Sequence, residues 1–200
     1  MSLTIRPRLE SDILILTHVL SSTYESDGYP VEGPLSPSSA VQFLCPVNAL
    51  AAWTVLLDSP VASEDPQIVG QAVITPGTGH AAIVAYLEQN VGVGKDKLAF
   101  LGRLFVGPEA RGKGAGKALV LEAMRWAERE GTRLLLDVMI KDEAAIRLYE
   151  KLGWRKIAEG MHADGKGGQW KRWSFVGPEV PVKKDEAPAD ITELISSKHD

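Results

Sequence analysis

Residues Leu101–Lys117, LGRLFVGPEARGKGAGK, decide how the rest of the chain reads. The apolar run Leu104-Phe105-Val106 has the character of a strand, and Gly107-Pro108 ends it. A short acidic link leads to a basic loop with glycines at 112, 114 and 116, which runs into an amphipathic segment over Ala118–Glu130. Glycine lets backbone N–H groups converge on one point, and the first turn of a helix adds partial positive charge there. Such a loop is an anion cradle, best suited to phosphate groups.

Two familiar phosphate-loop patterns fail here. Gly107–Lys113 satisfies the Walker G-x-x-x-x-G-K spacing, but Gly114 stands where a hydroxyl must hold magnesium. In the dinucleotide fingerprint G-x-G-x-x-G, the third glycine falls on Lys117 or Leu119, depending on where the count starts. Asp137 lies at the distance expected of a ribose-binding acid, yet Gly107–Arg111 separates strand from glycines, whereas in that fold the strand feeds the turn directly. A third pattern fits. Arg111-Gly-Lys-Gly-Ala-Gly116 resembles the Arg/Gln-x-x-Gly-x-Gly/Ala loop of the GCN5-related N-acetyltransferase (GNAT) family, and Leu104–Arg111 resembles that family's lead-in. A second block, Asp142–Trp154 (DEAAIRLYEKLGW), resembles its Asn-x-x-Ala-x-x-x-Tyr-x-x-x-Gly-aromatic signature. Ala145, Tyr149, Gly153 and Trp154 are in place, and Asp142 stands where asparagine is commonest. The resemblance covers about residues 98–160.

The resemblance implies an α/β fold: a mixed α+β sheet, splayed at the cofactor, with helices on both faces. One domain over residues 1–176 is expected, and after it the turn to Pro, Lys, Glu and Asp reads as a charged, flexible tail over 177–200. The resemblance also implies acetyl-CoA as cofactor. Backbone groups of Arg111, Gly112, Lys113, Gly114, Ala115, Gly116 and Lys117 would hold the diphosphate, with Arg111 and Lys113 adding charge. The backbone of Leu104, Phe105 and Val106 would run along the pantetheine arm and bond the thioester oxygen as charge develops on it. Tyr149 takes the position of the family's general acid. Asp142 replaces the asparagine as a cofactor contact; a carboxylate caps a helix well but cannot donate as an amide does.

Many relatives carry a basic glutamate on the central strand where this chain has Arg103, and arginine cannot act as a base at neutral pH. Arg103 is expected to bind a carboxylate on the acceptor or to pair with a loop acid. A water chain or an acid from residues 24–29 then deprotonates the amine. Tyr24, Asp27, Tyr29 and Arg103 are the acceptor-site candidates, since acids and aromatics receive a cationic amine by charge pairing and cation–π contact. The expected reaction is direct transfer of acetyl from acetyl-CoA to a primary amine, on a small molecule such as an amino acid. A peptide N-terminus or lysine as acceptor, or an acyl-CoA-binding domain without turnover, are the alternatives.

Composition sets outer bounds. Two hundred residues suit one domain, and 44% hydrophobic with 24% charged residues is ordinary for a globular chain. A net charge of −4 gives no broad basic surface for nucleic acid. A single cysteine, Cys45, excludes an intramolecular disulfide and reads as a small half-buried hydrophobe. Four scattered histidines show no metal-ligand spacing, so no metal is expected. The N-terminus has no signal-peptide run, and Ile13–Leu20 is too short to span a bilayer. The expectation is a cytoplasmic protein without membrane or nucleic-acid partners, for which a homodimer remains open.

Along the chain, Leu3–Arg6 reads as a strand and Ser11 or Asp12 as the cap of a helix carrying Ile13, Leu16 and Leu20. Ser21–Pro37, rich in Ser, Gly and Pro, reads as an irregular loop. Ser38–Leu44 reads as a helix capped by Ser38 or Ser39. Ala51–Leu57 and Gln67–Ile74 form an antiparallel hairpin in which Gly70 marks a bulge or a close approach. Pro76–Asp96 is an insertion carrying His80, Tyr86 and Glu88. Arg133–Ile140 is a strand covered on both faces, Glu143–Leu152 a helix with Tyr149 facing inward, and Trp154–Ala158 and Gln169–Phe175 the last strands.

Overall fold

The computed structural model describes residues 2–59, 65–77 and 94–180. His80, Tyr86 and Glu88 of the insertion, and the tail beyond residue 180, lie outside the described residues.

Seven strands form one sheet in the order β1-β2-β3-β4-β5-β7-β6. They are β1 (Leu3–Pro7), β2 (Ala51–Leu57), β3 (Gln67–Pro76), β4 (Leu98–Val106), β5 (Arg133–Met139), β6 (Arg155–Ala163) and β7 (Gln169–Val176). Every described pairing is antiparallel except that of β4 with β5. The parallel pair requires a crossover, supplied by α3 (Ala115–Glu130). This helix packs Leu119, Val120, Ala123 and Ala127 onto one face of the sheet, where they meet Trp53, Val55, Ala99, Leu101 and Leu134. The second-block helix α4 (Glu143–Lys151) adds Ile146 and Tyr149 to the same cluster. On the other face, α1 (Ile13–Asp27) and α2 (Pro37–Leu44) bury Leu16, Leu20, Ala40 and Leu44 against Phe105. Helices thus cover both faces of a mixed sheet.

Local chemistry explains where the elements start and stop, and corrects several expectations. Ser21–Pro37 is not irregular throughout, because α1 continues to Asp27 and ends only at Gly28, whose φ of +70° closes it. Thr23 stays in the helix by turning its hydroxyl onto the Val19 carbonyl at 2.7 Å, as Ser22 does onto His18. Asp12 does not cap α1 with its side chain. Its carboxylate bonds the Leu9 N–H at 2.8 Å, the Arg6 guanidinium at 2.7 Å and the Thr54 hydroxyl at 2.9 Å. The cap of α2 is Ser36, not Ser38 or Ser39: its Oγ accepts from the Ser39 N–H, and Pro37 sits at the first helical position, where no N–H is missed. Helix α3 starts at Ala115, one turn before Ala118, directly from Gly114 at φ +88°. Trp126 packs against the edge of the same core and is half-buried.

Two features of the sheet prepare the site. Strands β4 and β5 pair only from Leu98–Phe100 to Arg133–Leu135. Beyond that point β4 stays with β3 and β5 turns to β7, so the two C-terminal halves part as a V. Within β4 the register against β3 also slips, and Arg103 takes φ +49°, the positive-φ non-glycine residue among those described. The slip changes the phase of the strand. Ala99 and Leu101 face the α3 core before it, whereas Leu104 and Val106 do so after it. That is the signature of a β-bulge, in which two residues oppose one. Gly70 lies opposite Val106, and a Cβ there would overlap the Phe105 carbonyl oxygen, which explains the glycine.

Candidate active site

The glycine loop lies at the mouth of the V. Gly112 (φ +72°) and Gly114 (φ +88°) adopt the left-handed conformation that turns the chain sharply into α3. No side chain caps the helix, and the first hydrogen bond runs from the Ala118 N–H to the Gly114 carbonyl at 2.9 Å. The N–H groups of Ala115, Gly116 and Lys117 therefore point out of the helix end, where the macrodipole favours an anion. Lys113 and Lys117 stand exposed beside them. Gly116 has Leu148 Cδ2 and Val106 Cγ2 just within 4 Å of where a Cβ would sit, so the loop is seated on both α4 and β4.

Arg111 is turned away from this cradle. It bonds Ser26 Oγ at 2.7 Å and pairs with Asp27 Oδ2 at 2.8 Å, both at the C-terminus of α1. From the other arm of the V, Lys141 donates to the Asp27 carbonyl at 3.0 Å and to Asp142 Oδ1 at 2.9 Å. The end of α1 thus bridges the segments that follow β4 and β5. Asp27, expected to face an acceptor, is engaged by Arg111 instead. Asp142 stands at the start of α4, where its backbone carbonyl accepts from the Ala145 and Ile146 N–H groups while its side chain bonds Lys141 and caps nothing.

Tyr149 is buried, packed on Trp154 and Phe175 with ring centroids 5.7 Å and 6.1 Å away. Burial pushes its phenol well above the ordinary tyrosine value, and the negative charge of Asp142 pushes further in the same direction. Tyr29 stands close by, edge-on to Phe43 and tilted against Phe105, both at 6.1 Å. Its phenol is raised first by burial, then by Tyr149 and Glu32, with Arg103 opposing. Arg103 leans over the Phe43 ring at 5.5 Å. Tyr149, Tyr29, Asp142 and Arg103 therefore share one electrostatic environment. Tyr24 does not join them. It lies back along α1, beside a small cavity lined by Pro30, Gly33, Leu35 and Ala40.

Two residues missing from the sequence-based set complete the far side. Glu32 Oε1 accepts a hydrogen bond from His162 Nε2 at 3.0 Å, joining the 29–33 loop to the end of β6. Next to it, Lys166 Nζ of the β6–β7 connection lies against the Cα of Gly33, where a side chain would collide with it. Only the acidic residue among the prolines and glycines of residues 30–34 hinted at Glu32, and nothing local marked His162. A separate cavity of about 350 Å³ opens between Leu121–Glu128 of α3 and residues 177–180; it contains none of these groups. Asp137, weighed as a ribose acid, bonds Arg172 and Ser174 within the sheet.

Comparison with known proteins gives the family and the fold. The model of the acetyltransferase (GNAT) family matches residues 34–154, more than half of the chain. The chain belongs to that family. An uncharacterised N-acetyltransferase of Methanocaldococcus jannaschii is 35% identical over 63 residues, 31% of this chain and 28% of that protein. The match thus spans little more than a quarter of that relative's length. Among solved structures, Arabidopsis thaliana NAA60 in complex with acetyl-CoA superposes with a TM-score of 0.66 at 17% identity, over 88% of this chain and 97% of the other. A protein assigned as a phosphinothricin N-acetyltransferase superposes with a TM-score of 0.63 at 18% identity, over 89% and 99%. At such identities the likeness is one of fold. Among the described residues no helix is long and apolar enough to cross a membrane, and no cluster of potential metal ligands is found.

Proposed function

We propose that this chain is an N-acetyltransferase that carries acetyl from acetyl-CoA directly to the primary amine of a small molecule. The observation that carries the reading is a buried, protonated phenol, Tyr149, beside a V-shaped opening with an uncapped helix N-terminus at its mouth. The site fits the cofactor. The N–H groups of Ala115–Lys117, with Lys113 and Lys117, suit a diphosphate. The edge of β4 from Leu101 to Val106, which β5 leaves, suits the amides of a pantetheine arm. When bound, the cofactor supplies an acetyl group activated as a thioester.

The chain's own residues do the rest. The β4 backbone donates to the acyl oxygen as negative charge builds there. The acceptor nitrogen forms its bond to the acyl carbon as the carbon–sulfur bond breaks, and Tyr149 gives its proton to the departing sulfur. The proton lost by the amine leaves on the Glu32–His162 side, and Tyr149 is reprotonated from solvent. Cys45 packs against the α1–α2 cluster as a half-buried hydrophobe, which supports direct transfer over an acetyl-enzyme. The contact between the 29–33 loop and the β6–β7 hairpin favours a small acceptor, because it narrows the side from which a peptide would enter.

The test is thiol release from acetyl-CoA against polyamines, amino acids, aminoglycosides, arylalkylamines and short peptides, with Tyr149→Phe alongside. Turnover confined to one class of small amine, with kcat lowered about 100-fold or more in the variant, is the expected result. Turnover of the peptides alone would overturn the small-molecule reading. Full activity in the variant would remove Tyr149 from the acid role.

A further inference from the structure

Arg103 has no carboxylate where one would be expected. It lies on the central strand at the bulge, and alternation from Ala99 and Leu101 would have sent its side chain into the apolar core under α3. The bulge turns it out of that core and towards α2, where its guanidinium rests on Phe43. At φ +49° Arg103 is held in the left-handed region that residues with a side chain disfavour. The strand accepts this strain in order to place a cation at the edge of the V.

Once there, the cation is not neutralised. Arg103 is half-buried, and its Nε is fully buried without a hydrogen-bond partner. It forms no ion pair with any described residue; Asp27 pairs with Arg111, and Asp142 bonds Lys141. Glu32 acts on it only from a distance. The neighbouring Arg8 repels it, and itself bonds neutral oxygens, the Leu44 carbonyl at 2.5 Å and Gln71 Oε1 at 3.0 Å. Beside these guanidinium groups the buried Gln71 also keeps an unpartnered Nε2. A partly desolvated guanidinium among unpaired donors is unfavourable unless an anion arrives to complete it.

The geometry points to an acceptor that carries a carboxylate as well as its amine, the carboxylate held by Arg103. This rests on the small-molecule acetyltransferase reading and narrows it to zwitterionic amines of amino-acid type. Arginine suits the task because its planar fork meets a carboxylate through two hydrogen bonds. Glu32 is the described carboxylate that acts electrostatically on both Tyr29 and Arg103, and it would attract the ammonium end. His162, whose Nε2 donates to Glu32, holds that carboxylate in place. The two ends of such an acceptor would thus find opposite charges, Arg103 and Glu32, both close enough to act on Tyr29.

The test compares amines that differ only by the carboxylate: leucine with isopentylamine, phenylalanine with phenethylamine, lysine with cadaverine. Each is assayed by thiol release from acetyl-CoA with the full chain, Arg103→Met and Arg103→Lys, with acetyl-CoA binding as the check on folding. The expected result is that at least one acid exceeds its decarboxylated partner in kcat/KM, and that Arg103→Met shrinks the ratio about tenfold to a hundredfold. Arg103→Lys, which keeps the charge and loses the fork, should fall between the two. Equal or better turnover of the decarboxylated partners would overturn the inference and leave the acetyltransferase reading standing. So would an unchanged ratio in both variants. No turnover of either member of any pair, with acetyl-CoA bound normally, would overturn the inference alone; silence across the wider amine panel as well would overturn the acetyltransferase reading.

Discussion

Tyr149 shows how far one side chain's chemistry is set by its surroundings. Its phenol lies in an aromatic cage, with Asp142 adding negative charge, and both effects favour the neutral form. A group raised in this way keeps its proton beyond the ordinary tyrosine range, so it can donate but cannot serve as a base. The pH–rate profile of kcat should therefore lack a falling limb from Tyr149 below about pH 10. Activity that falls with rising pH already below about pH 10, through a limb that vanishes in Tyr149→Phe, would contradict this. The inward position of Tyr149 was legible in the sequence, because the spacing Ala145, Leu148, Tyr149, Leu152 puts it on the apolar face of a helix. Arg103 was legible only as a departure from a motif. Its turn towards α2 depends on a register slip against β3, which no local preference of arginine could announce.

Among the elements, α1 is where sequence and structure part most clearly. Its last two turns, Ser21–Asp27, are poor in strong helix formers, and their polarity suggests a loop. What keeps it helical is tertiary: Thr23 is buried, and Asp27 is fixed by Arg111 while its carbonyl takes Lys141. This end of α1 competes for a cation that the anion cradle could use. Asp27→Asn should free Arg111 and tighten acetyl-CoA binding, by roughly twofold to fivefold given the worth of an exposed ion pair. Calorimetric titration checks this, and weaker binding would mean that Asp27 orients Arg111 instead of restraining it. The β3–β4 pair offers a second test at this scale. In Gly70→Ala the new methyl meets the Phe105 carbonyl, a backbone atom that cannot step aside without moving the bulge. We expect a loss of about 1–3 kcal/mol in stability together with weaker acetyl-CoA binding, from unfolding and titration measurements on the same protein. A stability loss alone would separate the bulge from the cofactor edge.

For the whole molecule, the strand order and the V were not legible, because partners far apart in sequence set them; the two motif blocks supplied them only through family likeness. The knot that ties the N-terminal elements to the sheet was equally hidden. Asp12 read as a helix cap, yet it is 2% exposed and gathers Arg6 of β1, the Leu9 N–H and Thr54 of β2 around one carboxylate. Burial by itself would raise its pKa, but the bonds from Arg6, Leu9 and Thr54 outweigh burial and hold it below the ordinary aspartate value. A carboxyl lowered by folding stabilises the native state at all pH values above its unfolded pKa, about 4. It loses that contribution as pH falls through the lower native value. Asp12→Asn, which leaves Arg6 without its anion, should therefore cost about 2–3 kcal/mol at pH 7, lowering Tm by roughly 5–10 °C. The gap between the two proteins should stay constant from pH 7 to about pH 5 and narrow as the solution is acidified below about pH 4. Thermal unfolding of both proteins across that range measures it. A gap that stayed constant down to pH 2 would show that the Asp12 carboxylate holds the N-terminal strand and helix by shape alone, with no contribution from its charge.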